Sequence, residues 1–186
     1  MANRRRKMVI RDAATVRALR ATLRQEVLNA LEGPGGRSVK EVALELGRPA
    51  ASLYYHVHKL VEAGLVREAG RRTNGRQEEV LYEAAADTIL IDRSVRSKDF
   101  VAALSDLQRS TLRAAEREAA RALESPPRPS APAGDPVTLL RLSTKLSPAD
   151  ARRARRKLKE LAAFLESRND PAAADSFSFT AVLVST

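Results

Sequence analysis

The chain has 186 residues, no cysteine, no tryptophan and a formal net charge of +10. Without cysteine it can form no disulfide, thiolate nucleophile or cysteine-based metal site, and no segment reaches the roughly 20 apolar residues of a membrane-spanning helix. The excess of positive charge favours a polyanionic partner, either nucleic acid or an anionic membrane face.

The first part of the chain is predicted to be helical. Residues 1–11 form a frayed basic arm without the apolar stretch of a signal peptide, so we expect a soluble cytoplasmic protein. Apolar residues then recur at three- and four-residue steps, which predicts a helix over residues 15–31. The glycines and proline of "EGPGGR" end it. Ser38 is expected to begin a second, short helix, with Glu41 completing a capping box.

A third helix is predicted over residues 49–63. Pro49 suits its first position, and Gly64 suits the left-handed conformation that ends a helix. Two β-type runs follow, "LVREA" and "EEVLYEA", and the Asn-Gly pair in the intervening "GRRTNGRQ" predicts a hairpin. At about 100° per residue, the leucines of the third helix share one side. The side chains roughly opposite are Ser52, Tyr55, His56 and Lys59.

The second half of the chain is predicted to hold a long alanine-rich helix over residues 97–124, a proline-rich linker over 125–136 and a strand–helix–strand module over 137–186. Its two strands are "VTLLRLS" and "FSFTAVLV", and Ser147 with Pro148 opens its helix. The fold class is therefore mainly α with a small β component. The buried face of the last helix is expected to contain Ala151, Ala154, Leu158, Leu161, Ala162 and Leu165.

Three stretches of residues 12–96 carry a family resemblance, namely "ALRATLRQEVL", "VKEVALELG" and "LYYHVHKLVEAGLV". Over roughly residues 15–84 the sequence resembles the winged helix-turn-helix domain of ArsR-type bacterial transcriptional regulators. The resemblance implies a homodimeric repressor or activator whose third helix reads DNA while the hairpin, residues 70–78, acts as the wing. Metal-sensing members of that family use cysteine-bearing sites, which this chain cannot form.

The candidate binding residues lie on the third helix and near the hairpin tip. Small and polar side chains on an exposed helix can enter the roughly 12 Å wide major groove and donate to base edges or phosphates. Arginines at a hairpin tip can reach phosphates or the adjacent minor groove. The candidate DNA-binding residues are Ser38, Arg48, Ala50, Ser52, Tyr55, His56, Lys59, Arg71, Arg72 and Arg76.

The other site classes find little support in the sequence. We expect no metal, because His56 and His58 are two residues apart on a helix and point about 200° from each other. No cofactor and no enzymatic activity are expected, since there is no phosphate-binding loop and no nucleophile motif. The expected partner is double-stranded DNA, with an unidentified small-molecule effector left open. A protein–protein or RNA-binding role of the domain is the alternative function.

Two further surfaces have competing interpretations. The long helix offers a homodimer interface anchored by Leu104 and Leu107, with its later alanines permitting close approach, but packing of this helix on its own domain is an equal alternative. The arginine-dense "ADARRARRKLKELAAFLES" could contact phosphates, an acidic partner or a membrane. A solvated helix face is favoured over all three.

Overall fold

The structure is a computed structural model. It describes residues 6–33, 35–74, 77–125, 136–168, 170 and 177–184. The chain divides into two compact units, Met1–Thr111 and Leu112–Thr186, at a boundary inside its longest helix.

Helices and a few strands make up the regular structure of the described residues. The helices are α1 (Ala13–Ala18), α2 (Thr22–Ala30), α3 (Val39–Glu45), α4 (Ala50–Glu62), α5 (Lys98–Glu124) and α6 (Pro148–Ser167). The strands are β1 (Lys7–Ile10), β2 (Arg37–Ser38), β3 (Val66–Asn74), β4 (Gln77–Ala84) and β5 (Thr88–Ile91). Strands β2, β4 and β3 form an antiparallel sheet in that order, and β1 pairs with β5 in parallel.

The N-terminal arm differs from the prediction. Lys7–Ile10 is not frayed but forms strand β1, in which Lys7 is opposite Thr88 and Ile10 is opposite Ile91. Ile10 is almost fully buried in the core. The prediction was wrong because a four-residue strand is defined by its partner, and this partner lies far along the chain. Residues 1–5 of the predicted arm lie outside the described residues.

The first predicted helix is divided into α1 and α2. The carbonyls at the end of α1 find side-chain donors in α2, since the Arg24 guanidinium donates to the Ala18 carbonyl and Gln25 Nε2 donates to the Leu19 carbonyl at 2.8 Å. Those bonds satisfy groups that a helix end leaves open. The apolar spacing continues through the break because Leu19 remains buried, which is why periodicity predicted one helix.

Helices α3 and α4 form as predicted, with small differences at their ends. Ser38 caps α3 with the capping box in place, accepting from the Glu41 amide at 3.3 Å while its own amide donates to the Glu41 carboxylate at 2.8 Å. Pro49 occupies the N-cap of α4 rather than its first position. Gly64 follows the helix with a φ of 68°, the predicted left-handed conformation. The core-facing side chains of α4 are Leu53, Val57 and Leu60.

The first turns of α5 belong to the core of the first unit. Phe100 and Ala103 are each only 1% exposed, and Leu104 and Leu107 pack against the same core. The sequence left two roles open for these leucines, and the structure shows packing on the chain's own domain. Of the two alternatives, packing of this pair on its own domain is therefore observed, and a dimer interface on α5 stays a prediction.

The second unit contains the predicted helix but not the predicted strands. Ser147 caps α6 by accepting from the Asp150 amide at 3.1 Å. Residues 137–143 and 177–184 form no strand, because neither has a ladder partner among the described residues. Leu139 and Leu140 are more than 85% exposed. Of the α6 face that was predicted to be buried, Leu161 and Leu165 are exposed at 42% and 39%, and the other members are only half-buried. Residues 126–135 of the predicted linker lie outside the described residues.

Candidate nucleic-acid interface

Helix α4 presents a polar face because its apolar side is held in the core. Tyr55 is 61% exposed on that face. The Lys59 ammonium lies 5.9 Å from the centre of the Tyr55 ring and 2.6 Å from the Glu62 carboxylate, and its hydrogen bond to Glu62 raises the pKa of Lys59. Ser52 is also exposed, with its hydroxyl donating to the Pro49 carbonyl at 2.7 Å. Ser52, Tyr55 and Lys59 therefore share a surface that a groove can accept.

His56 does not share that surface fully. Its side chain is half-buried, and its Nδ1 atom is buried without a hydrogen-bond partner in the described structure. Burial lowers the pKa of His56, and the nearby Arg24 charge lowers it further. The sequence assigned His56 to the exposed face, whereas His56 is half-buried and His58 is the exposed histidine. His56 sits 300° around the helix from Leu53, close to α2, which explains the difference.

Acidification is expected to destabilise the first unit through His56. Its pKa lies below the ordinary 6.5 in the folded state, so the unfolded chain binds the proton more readily and stability falls as pH decreases below about 6.5. His56→Leu should remove most of this loss between about pH 7.5 and 5.5. Urea unfolding at each pH measures it, with His58→Leu as the matched control on the same helix. An identical pH dependence in His56→Leu and the unmodified protein would contradict the assignment.

Three other candidate residues surround α3 and the turn before α4. Ser38 is 3% exposed and its hydroxyl is occupied by the Glu41 amide, so the prediction that it contacts DNA is wrong. Ala50 is half-buried and packs against the core. Arg48 is exposed in the turn, where its amide donates to the Ala43 carbonyl at 2.9 Å. Only Arg48 of these three presents a side chain to solvent.

The hairpin arginines lie on a strand rather than at a free tip, because β3 continues to Asn74. Arg71 pairs with Glu78 at 2.9 Å. Arg72 pairs with Glu41 of α3 at 2.9 Å and with Glu79 at 3.4 Å. Arg76 lies outside the described residues. Arg71 and Arg72 of the predicted basic tip are therefore both paired with carboxylates of the same domain.

Glu79 is the centre of this ion-pair network. Its side chain is 9% exposed and lies 2.8 Å from the Lys40 ammonium as well as near Arg72. The hydrogen bond from Lys40 and then that from Arg72 lower the pKa of Glu79. One carboxylate thus ties the start of α3 to the hairpin and holds two cations at once.

A cleft between α4 and the hairpin contains residues that the sequence analysis did not select. It has a volume of about 460 Å³. Tyr54 and His58 enter it from α4, and their four-residue spacing is the signal that identifies a shared face. Leu44 of α3 is also unexpectedly exposed, at 86%. The cleft is lined by Ser38, Val39, Lys40, Tyr54, His58, Glu78, Glu79, Val80 and Tyr82.

Neither a metal-binding cluster nor a membrane-spanning helix occurs among the described residues. Among the described residues, no three histidine, aspartate or glutamate side chains are grouped so that they could hold a metal ion. In that same part of the chain, no helix combines the length and the apolar character needed to cross a membrane.

Comparison with known proteins identifies the domain that carries this surface. A family model described as a helix-turn-helix domain matches residues 22–69, which run from α2 into β3. Comparison with curated proteins gives no match. The matched family is found in ArsR-like regulators, and a domain of this kind suggests a DNA-binding regulator. Residues 22–69 therefore match a helix-turn-helix domain, and α3 and α4 both lie within the matched segment.

Proposed function

We propose that the protein is a sequence-specific DNA-binding transcriptional regulator of the ArsR-like type that acts as a homodimer. Helix α4 enters the major groove, and the β3–β4 hairpin is the wing that contacts the backbone or the minor groove. The observation that carries the proposal is the exposed polar face of α4, with Ser52 and Tyr55, inside a segment that matches a helix-turn-helix family.

In the proposed mechanism, one set of side chains supplies the affinity for DNA and another set discriminates among base sequences. Ser52 and Tyr55 discriminate among bases, because hydroxyl groups can donate to and accept from base edges. Lysine and arginine side chains contact phosphates and release counterions, which supplies most of the affinity. Arg48 is exposed for this role in the turn, whereas Arg71 and Arg72 must first leave their carboxylates. The hairpin therefore contributes less affinity than its arginine content suggests.

The proposed homodimer is supported by the geometry of DNA. Two copies of α4 about 34 Å apart meet successive major grooves on one face of a duplex. Since one face of the early turns of α5 packs on its own domain through Phe100 and Ala103, the later turns are the proposed contact. Leu112 and Leu123 are 48% and 67% exposed there, and small residues between them permit two helices to approach closely.

A salt titration of duplex binding tests this proposal. The duplex is first selected from random oligonucleotides with the full-length protein, and its affinity is then measured between about 50 and 200 mM salt. Four or more phosphate contacts should reduce the affinity by roughly a hundredfold or more over this range. Affinity that hardly changes with salt would contradict the phosphate-driven mode. Displacement of the duplex by structured RNA at equal concentration would favour an RNA-binding role instead.

A further inference from the structure

We propose that α6 is a second phosphate-binding surface, which contacts the DNA backbone beside the site bound by α4. This inference rests on the proposed function and extends it, because it gives the second unit a part in DNA binding. The surface is defined by six basic side chains within eight consecutive residues of α6. These are Arg152, Arg153, Arg155, Arg156, Lys157 and Lys159.

The first argument is that these six cations are available. Each is exposed, and within the described residues none of them makes an ion pair or a hydrogen bond through its side chain. The hairpin arginines of the first unit, in contrast, are held by carboxylates, as Arg71 is by Glu78. A DNA phosphate that contacts α6 does not have to displace a carboxylate of the described residues. The release of counterions from the DNA therefore contributes its full share to the affinity.

The second argument is the density of charge along the helix. At about 1.5 Å of rise per residue, the six cations cover roughly 10 Å of helix axis. Duplex DNA carries one negative charge per roughly 1.7 Å of its axis, or about six charges over the same length. Arg152, Arg156 and Lys159 follow each other at four- and three-residue steps, so they lie along one side of the helix.

The third argument separates a nucleic acid from a membrane. A helix that binds a membrane surface buries large apolar side chains in the lipid. The side of α6 away from the central cations contains Ala154, Leu158, Leu161 and Leu165, and Leu161 and Leu165 are 42% and 39% exposed. Because this apolar face would also suit a membrane surface, the commitment to DNA rests on the helix-turn-helix segment in the same chain, and binding to vesicles is an outcome of the test.

The test compares two triple variants of the full-length protein on the same duplex. The α6 variant carries Arg152→Gln, Arg156→Gln and Lys159→Gln, and glutamine preserves helix propensity. The matched control carries Arg113→Gln, Arg117→Gln and Arg121→Gln, which removes three exposed cations of α5.

Each lost phosphate contact should reduce the slope of log affinity against log salt by about 0.9. We expect the α6 variant to lose about two to three in slope and at least tenfold in affinity at about 0.1 M salt.

The outcomes separate this inference from the proposed function. Equal changes in the two variants, or an unchanged slope in the α6 variant, would overturn the inference while leaving DNA binding by α4 intact. Failure of the unmodified protein to bind any duplex would overturn both. Retention on anionic vesicles that the α6 variant loses, without a change on DNA, would assign the surface to a membrane and overturn the inference. Arg152→Lys with Arg156→Lys should retain the slope, and circular dichroism should show equal helix content in all variants.

Discussion

Tyr55→Ala is expected to reduce affinity for the selected duplex by roughly five- to 150-fold, the effect of about 1–3 kcal/mol for one base-reading side chain. Tyr55 is 61% exposed at the outer face of α4, so its removal leaves no cavity in the core. Affinity for an unrelated duplex should change much less, because phosphate contacts are retained. Fluorescence polarisation on the two duplexes measures the ratio of the affinities.

The adjacent tyrosine provides the control for this experiment. Tyr54 is 44% exposed on the same helix, but it lines the cleft beside the hairpin rather than the outer face. Tyr54→Ala removes the same aromatic ring from a position about 100° away. It should leave the affinity ratio near that of the unmodified protein. A greater loss of specificity in Tyr54→Ala than in Tyr55→Ala would mean that the cleft, and not the outer face of α4, meets the bases.

Helix α4 could be predicted because its determinants are local. Leu53, Val57 and Leu60 recur at helical spacing. Gly64 ends the helix because glycine readily adopts the left-handed backbone conformation found there. The same periodicity places Tyr55 on the outer face. The burial of His56 was harder to predict from the sequence. A residue near the boundary of the apolar side becomes buried or exposed according to what packs beside it, and here Arg24 of α2 lies nearby.

The state of the hairpin charges could not be predicted from local sequence. Arg72 is neutralised by Glu41, which belongs to α3 and comes 31 residues earlier. Only the fold brings these two groups together. The sequence contains Glu78 and Glu79 next to the predicted tip, yet a hairpin loop would have left the arginines free. Extension of β3 to Asn74 sets the cross-strand register in which Arg72 is opposite Glu79.

The errors in strand prediction have one physical origin. A strand is stabilised by the ladder it shares with a neighbour, so its residues carry only part of the information. Lys7–Ile10 lacks a strong alternating pattern but pairs with β5. Residues 177–184 have the pattern, but they pair with no strand among the described residues. The cap of α6 was predicted because Ser147 needs only Asp150, three residues away.

The ion pairs of the hairpin also affect how its variants should be interpreted. Glu79 is 9% exposed and is held by both Lys40 and Arg72. Removing Arg72 would leave part of its charge uncompensated, so a loss of DNA affinity in that variant would combine a lost phosphate contact with a weaker domain. Exposed cations without such partners, as on α6, give a cleaner measure of phosphate contact.

Phe100→Ala is expected to cost the first unit about 3–5 kcal/mol of unfolding free energy, the usual range for a buried phenylalanine in a well-packed core. Phe100 is 1% exposed, where the first turns of α5 meet the helix-turn-helix core. Val101→Ala is the matched control, because Val101 is 43% exposed on the same turn and should change stability by only about 0.5 kcal/mol.

Tyrosine fluorescence during urea unfolding measures this effect in the full-length protein. The three tyrosines, Tyr54, Tyr55 and Tyr82, all lie in the first unit, so the signal reports that unit without interference from α6. If α5 were only a connecting helix, Phe100→Ala and Val101→Ala would shift the midpoint equally. A large shift for Phe100→Ala alone would establish that the first turns of α5 are an integral part of the domain that carries α4.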